Sequence, residues 1–282
     1  MRSWLALIGL GLVVTFGLQR EILGQDQVKV FNLEKLNTAA NEEDPCATPD
    51  GLSLYFVRKG KRHYDIHRSA RASTTATFGP GKPFIYDRDA DVRSPHVHQN
   101  KLYFVTNEVP DKKFLNFKNF DIKWQMGTQA PLSVLGDINS KVDEMYPWVT
   151  ASGKDFYFSR KTEDGWKLFV ANGPVPGPIG KAKELGLPAG FHRATLTGSG
   201  LTMYLQGPLE DGKLGIFRSK RTKTTEAWPK PEPVTALNHP ETTKGDMQPA
   251  LSFDGTRLYF VSDRPGGKGG LDIWYVPTTM LK

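Results

Sequence analysis

The 282-residue chain is 38% hydrophobic and 11% aromatic, holds 28 glycines and 20 prolines, and carries a formal net charge of +7. Those values exclude a disordered polymer and describe a chain that buries a large core and turns often. A single cysteine, Cys46, excludes an intrachain disulfide framework.

The N-terminus stands apart from the rest. Arg2 precedes an apolar run from Trp4 to Leu18, followed by Gln19, Arg20 and Glu21. This is the charge, apolar stretch and polar exit of a secretory signal over residues 1–24, with cleavage after Gly24 or Gln25; an uncleaved anchor is the alternative. The expectation is an exported protein, periplasmic or extracellular, whose residues 25–282 form a single folded unit.

From Leu54 onward one pattern recurs five times, as Leu54-Tyr55-Phe56, Leu102-Tyr103-Phe104, Phe156-Tyr157-Phe158, Met203-Tyr204-Leu205 and Leu258-Tyr259-Phe260. The central tyrosines are separated by 48, 54, 47 and 55 residues, a period that marks repeat architecture. Four copies are preceded by a turn pair, Asp50-Gly51, Ser152-Gly153, Ser199-Gly200 and Asp254-Gly255, where glycine supplies positive φ between two extended runs. The second copy has a hairpin two residues shorter, around Gln99-Asn100. Upstream of the turns stand Pro45, Pro95, Pro147, Ala194 and Pro249, and downstream comes a third apolar run, as in Leu271 to Tyr275.

A fourth strand lies between copies, as in Glu232 to Asn238. Four short antiparallel strands per unit predict an all-β, five-bladed β-propeller. The residues before Tyr55 and after Tyr259 together supply one more period, so the ring closes without a missing blade. Val28 to Asn37 matches the strand between copies, with Leu36-Asn37 answering Leu237-Asn238, and is expected to complete the C-terminal blade.

Side chains that follow the prolines on one face of the inner strands are Cys46/Thr48, His96/His98, Trp148/Thr150, Thr195/Thr197 and Ala250/Ser252. None is a carboxylate, which counts against a glycosidase, since that chemistry needs two acids facing one another across the funnel. Glu42, Asp91, Asp143 or Glu144, and Asp246 recur just before those strands; as repeat features they are expected to cap turns or pair with Arg58, Arg160 and Arg264. Cys46 is expected to be a small buried residue.

Positions that break the repeat are the better candidates for function. His98 replaces the Ser or Thr of the other copies, and His192 and Arg193 occupy the approach in the fourth, where the proline is lost. The longest loop, Asn107 to Phe120, interleaves Phe114 and Phe117 with Lys112 and other lysines. A rigid ring would present Arg93, His96, His98, Lys112, Phe114, Phe117, Tyr146, Trp148, His192 and Arg193 as a mixed aromatic and basic mouth. Lys59, Lys61, Arg62, Arg68 and Arg71 form, with Arg58, a further basic cluster in the first blade.

The run from Asp246 to Gly267, followed by Leu271-Asp272-Ile273-Trp274, resembles the WD40-like β-propeller repeat of TolB-type periplasmic proteins. That resemblance implies a non-catalytic scaffold binding an envelope protein, peptide or glycan. TolB-type proteins have six blades behind a separate N-terminal domain, whereas five blades are expected here, so their partners are not carried over. No catalytic residue, metal ligand or cofactor is assigned, nucleic acid is not an expected partner, and a monomer is expected. The alternative is a glycan- or peptide-acting hydrolase or lyase with its acid among Asp91, Asp143, Glu144 and Asp246.

Overall fold

A computed structural model describes residues 28–108, 119–126, 133–135, 138–175, 177 and 179–281. The segment expected to be a signal and the loop bearing Lys112, Phe114 and Phe117 lie outside the described residues.

Each repeat folds as a four-stranded antiparallel sheet with its strands in sequence order, and five such sheets make a five-bladed propeller. The innermost strands are Glu42–Ala47, Val92–His98, Glu144–Val149, His192–Leu196 and Asp246–Leu251. The middle strands carry the repeated triplets, whose side chains are buried on both faces because a neighbouring blade covers each side; Phe56, Phe104, Phe158 and Phe260 are almost wholly enclosed. There is no single central core. Five apolar clusters form instead, one at every seam, such as Val57, Ile66, Val92, Leu102 and Phe104 between blades 1 and 2.

The hairpins follow the sequence reading. Gly51, Gly153, Gly200 and Gly255 sit at φ of 66°, 69°, 67° and 69° at the tips, and the short hairpin of blade 2 turns through Gln99 at φ 53°. The fourth strand of blade 1 keeps four residues, Lys82–Ile85, while the other four are shorter than expected, reduced to pairs such as Glu232–Pro233. The chain leaves the ladder there because Leu237 and Asn238 fold back in a tight turn, closed by Leu237 N–H donating to Val234 O at 2.9 Å.

That turn is the joint between blades. Asn238 Oδ1 accepts from Ile216 N at 2.8 Å while its Nδ2 donates to Ile216 O at 3.2 Å, so the amide imitates a strand neighbour. Asn139 repeats the arrangement on Ile122. At the N-terminus Phe31–Asn32 pairs with Asp272–Pro277, completing blade 5, and Asn37 bonds both backbone groups of Ile273 at 2.8 and 3.0 Å. Val28 and Val30 pack into the seam of blades 4 and 5. Asn37→Ala leaves the buried Ile273 N–H without a partner, at roughly 1–3 kcal/mol, while Ile273 O keeps the bond from Leu33 N. Urea denaturation should therefore show a loss of about 1–3 kcal/mol, and an unchanged midpoint would contradict this closure.

Candidate functional site

Every innermost strand is broken by a bulge just before its proline or alanine, between Glu43 and Cys46, Arg93 and His96, Met145 and Trp148, His192 and Thr195, and Met247 and Ala250. The bulged residues Asp44, Ser94, Tyr146, Arg193 and Gln248 all have positive φ, between 52° and 58°. Such a conformation costs a non-glycine residue on the order of 1 kcal/mol or more. It persists because each bulge directs one side chain to the ring axis. The backbone is the same in all five blades and the side chain differs in each: a carboxylate, a hydroxyl, a phenol, a guanidinium and an amide.

The bulge also removes an N–H from the ladder, and side chains recover it. Gln248 Oε1 accepts from Asp44 N at 2.6 Å, Asp44 Oδ2 from Ser94 N at 2.9 Å, Gln206 Oε1 from Gln248 N at 3.0 Å, and Ser159 Oγ from Arg193 N at 3.1 Å. The five residues line an axial cavity of about 50 Å³.

Two arginines neutralise the two carboxylates there. Arg193 reaches across from blade 4 to form an ion pair with Asp44, both side chains almost wholly buried, and stacks its guanidinium 3.9 Å from the Tyr146 ring centre. Burial lowers the Arg193 pKa to about 9, with Glu43 opposing the shift, so the cation is retained at neutral pH. Arg93 binds Glu43 at 2.6 Å, lies 3.9 Å from Asp44 and covers the Tyr64 ring at 3.9 Å. Around this mouth Trp166 stacks on His192 with centroids 5.7 Å apart and planes 14° apart, and Tyr146 lies 5.8 Å from both.

The structure thus gathers Arg93, Tyr146, His192 and Arg193 of the expected mouth residues, places His96 and Trp148 in the wall of the axial cavity, and adds Glu43, Asp44, Tyr64, Trp166 and Gln248. His192 faces the mouth with a ring edge already committed: Nδ1 bonds Gly190 O at 2.8 Å and Nε2 meets Gln206 Nε2 at 2.8 Å, an arrangement of the neutral Nδ1–H tautomer. Burial lowers its pKa to about 4.

The other histidines serve different ends. His96 Nε2 accepts from Val149 N of the next blade at 2.9 Å, the same staple that Cys46 Sγ makes to Val97 N at 3.3 Å and Thr195 Oγ1 makes to Leu251 N at 3.0 Å. Burial and the neighbouring His98 lower the His96 pKa to about 3. Trp148 packs 4.6 Å from the His96 ring, between two seams. His98 stands at the hairpin end of the ring, where it lines a small cavity with Ala151, Gly198 and Phe253, away from the mouth. Cys46 is buried as expected, and burial pushes its thiol up to about 12, which makes it a poor nucleophile. Among the described residues no three His, Cys, Asp or Glu side chains converge as a metal site.

The recurrent acids pair as the repeat suggested. Glu42 meets Arg58 at 2.7 Å, Glu144 meets Arg160 at 2.7 Å and Asp246 meets Arg264 at 2.6 Å; each arginine also donates to a carbonyl of the preceding joint, Leu36, Ile138 or Leu237. Asp91 accepts from Tyr64 N and Asp143 from Phe120 N. Asp91, Asp143, Glu144 and Asp246 are the four acids named for a hydrolase, and all four are engaged in structure.

The expectation that the funnel holds no carboxylate is corrected by Asp44, with Glu43 beside it. Counting faces at intervals of two from the proline misses both, since the bulge shifts the register. The signal was present in the unlike residues preceding each proline, set in an otherwise repetitive strand. The basic cluster of blade 1 is also divided. Arg58 is tied to Glu42, Arg68 to Ser53 and Arg71 to Gly51 O, leaving Lys59, Lys61 and Arg62 exposed.

No family model matches the chain, and no curated protein matches it. Solved structures share its fold at low identity. TolB from Acinetobacter baumannii aligns over 84% of this chain with a TM-score of 0.50 and 14% identity, and the chain spans 54% of that protein's length. The catalytic domain of a GH62 α-L-arabinofuranosidase from Coprinopsis cinerea aligns over 90% of this chain and 98% of its own, with a TM-score of 0.57 and 10% identity. A Bacillus subtilis arabinanase aligns over 84% of this chain and 95% of its own, with a TM-score of 0.56 and 11% identity. The chain is similar in fold to TolB and to glycoside hydrolases alike.

Proposed function

We propose that this protein is an exported, non-catalytic recognition module, acting as a monomer, that holds a glycan or peptide chain of the cell envelope against the mouth of its ring. The observation that carries this reading is the pairing of Glu43 with Arg93 and Asp44 with Arg193. Glycoside hydrolysis needs one carboxyl group held protonated as an acid and a second placed across the scissile bond. Here the two funnel carboxylates are sequence neighbours, and each is held in an ion pair with a guanidinium instead of facing the other across the funnel. A neutralised, hydrogen-bonded ring with half-buried Tyr64, Tyr146 and Trp166 at its rim is suited to stacking and polar contact. Lys112, Phe114 and Phe117, in the sequence between the second and third strands of blade 2, are proposed as further contacts.

The chain from Gln25 is to be tested against envelope polysaccharides, peptidoglycan fragments and envelope peptides, with Trp166→Ala and the Phe114→Ala/Phe117→Ala pair as variants. Binding that falls about tenfold or more in Trp166→Ala, the loss of one aromatic contact at a binding centre, supports the mouth. Binding that neither variant alters places recognition elsewhere and removes the proposal.

A further inference from the structure

A cavity larger than that of the axis lies outside this mouth. It occupies the hairpin end of the seam where blade 5 meets blade 1, has a volume of about 200 Å³, and is walled by Arg71, Arg257, Tyr259, Thr74 and Ser252 among others. The repeat provides an internal control for reading it. At the seam of blades 3 and 4, Arg221 donates through Nε to Gly200 O at 3.0 Å and through Nη1 to Glu226 O at 3.0 Å, over the Trp228 ring. Arg71 does the same with Gly51 O at 2.7 Å and Ala76 O at 3.4 Å, over Phe78. Arg71 is therefore a repeated structural residue, and its Nη2 is left without a hydrogen bond.

Arg257 is what the other seam lacks. The position is Asp155 in blade 3, which is bonded to Asn172. Arg257 makes one side-chain hydrogen bond, Nη2 to Thr74 O at 3.2 Å, which ties blade 5 to blade 1. Among the described residues neither Arg71 nor Arg257 has an acidic side chain within ion-pair distance, so two guanidiniums share one cavity with donors to spare. Burial, with the like charge of Arg257 among the further causes, lowers the Arg71 pKa.

A third donor converges on the same space. Tyr259 is 1% exposed and lines the cavity; its phenol oxygen lies against the Arg257 guanidinium, and its O–H is donated to no acceptor. Burial raises its pKa, so it remains a donor at neutral pH. A buried hydroxyl without a partner costs about 1–3 kcal/mol unless something accepts from it.

Two carboxylates at the cavity edge are occupied elsewhere. Asp50 Oδ1 accepts from Thr48 Oγ1 and Leu52 N, and Asp254 Oδ1 from Ser252 Oγ and Thr256 N, closing the hairpin tips. They bring the local charge near neutrality, so the seam is a hydrogen-bonding site and not merely a cationic surface.

We propose that the seam between blades 5 and 1 binds an oxyanion, a phosphate or carboxylate group borne on a small hydroxylated molecule, through Arg71, Arg257 and the Tyr259 hydroxyl. Planar guanidiniums bind such groups through paired N–H donors, and a tyrosine O–H supplies a third, shorter bond. The cavity has room beyond a bare ion, and Thr74 and Ser252 face that room.

Calorimetric titration of the intact protein at low ionic strength with inorganic phosphate, glucose 6-phosphate and glucuronate tests this. At least one probe is expected to bind at millimolar concentration or below. Arg257→Gln is expected to weaken it about tenfold or more, as for loss of a charge-assisted hydrogen bond, and Tyr259→Phe about fivefold. Arg221→Gln, at the other seam, is expected to leave binding unchanged. Binding of phosphate alone identifies a free ion, and binding of a sugar probe alone identifies a borne group. No binding by any probe, or losses that are equal in Arg257→Gln and Arg221→Gln, overturns the proposal. The mouth is at the opposite end of the ring, so its own binding test is unaffected by either result.

Discussion

Replacing Asp44 with asparagine is expected to lower folding stability by about 3–5 kcal/mol, the usual result of removing one partner from a buried ion pair. The substitution is chosen to keep everything but the charge. Asparagine tolerates the positive φ of 52° found at this position, and its amide oxygen still accepts from Ser94 N. What it leaves is Arg193, 7% exposed, with its cation facing a neutral amide in the axis of the ring. Asp44→Asn/Arg193→Met should therefore recover most of the loss, because a thioether needs no counter-charge in an enclosed site. A coupling energy of about 2–3 kcal/mol between the two sites, read from urea denaturation of the four proteins, is the expected outcome. Additive losses would mean that the pair does not hold blades 1 and 4 together across the channel.

The second large effect is acid unfolding driven by histidine. Burial lowers the pKa of His96 to about 3 and those of His67 and His192 to about 4, from an ordinary value near 6.5. Each ring is neutral in the folded protein and protonates more readily once unfolded. Their stabilising contribution is thus complete above pH 6.5 and is lost as pH falls from 6.5 toward 4. The slope is about 1.4 kcal/mol per pH unit for each histidine, or roughly 4 for the three. By pH 4 the three together remove about 10 kcal/mol, which exhausts a domain stability in the lower part of the usual range of about 5–15 kcal/mol. Between pH 6.5 and 5, ordinary carboxylates contribute little, so the slope there reports the histidines. His67→Leu, which removes a buried ring whose Nδ1 has no partner, should reduce that slope by about a third. A stability that is flat from pH 7 to 5 would show that these rings are solvated.

Much of the fold was legible because the devices that build a blade are local and repeated. Tip glycines, joint asparagines such as Asn37 and Asn238, and acid–arginine pairs such as Glu144 with Arg160 recur at fixed spacing, and each is needed by the same geometry in every blade. The site was less legible for a related reason. A strand period of two puts His96 and His98 on one face, and both line the small cavity toward the hairpin end, but the His96 Nε2 is spent on stapling blade 2 to blade 3. The corresponding bulge in blade 1 brings Asp44 to the axis, which a period of two does not show. Trp166 carries no local signal of a site, because its position over His192 depends on how blades 3 and 4 dock, which is not a local property.

The claim that the ring recognises without catalysing is tested most directly by following the material bound at the mouth over time. The protein is to be incubated with each envelope glycan or peptide that it retains, and the mixture separated chromatographically and weighed by mass spectrometry. Binding with every fragment recovered at its starting mass is the predicted result. New, shorter products that form with the wild-type chain and vanish in a folded Glu43→Gln or Asp44→Asn variant would contradict it, and would make the arginine-paired carboxylates of the axis a catalytic centre.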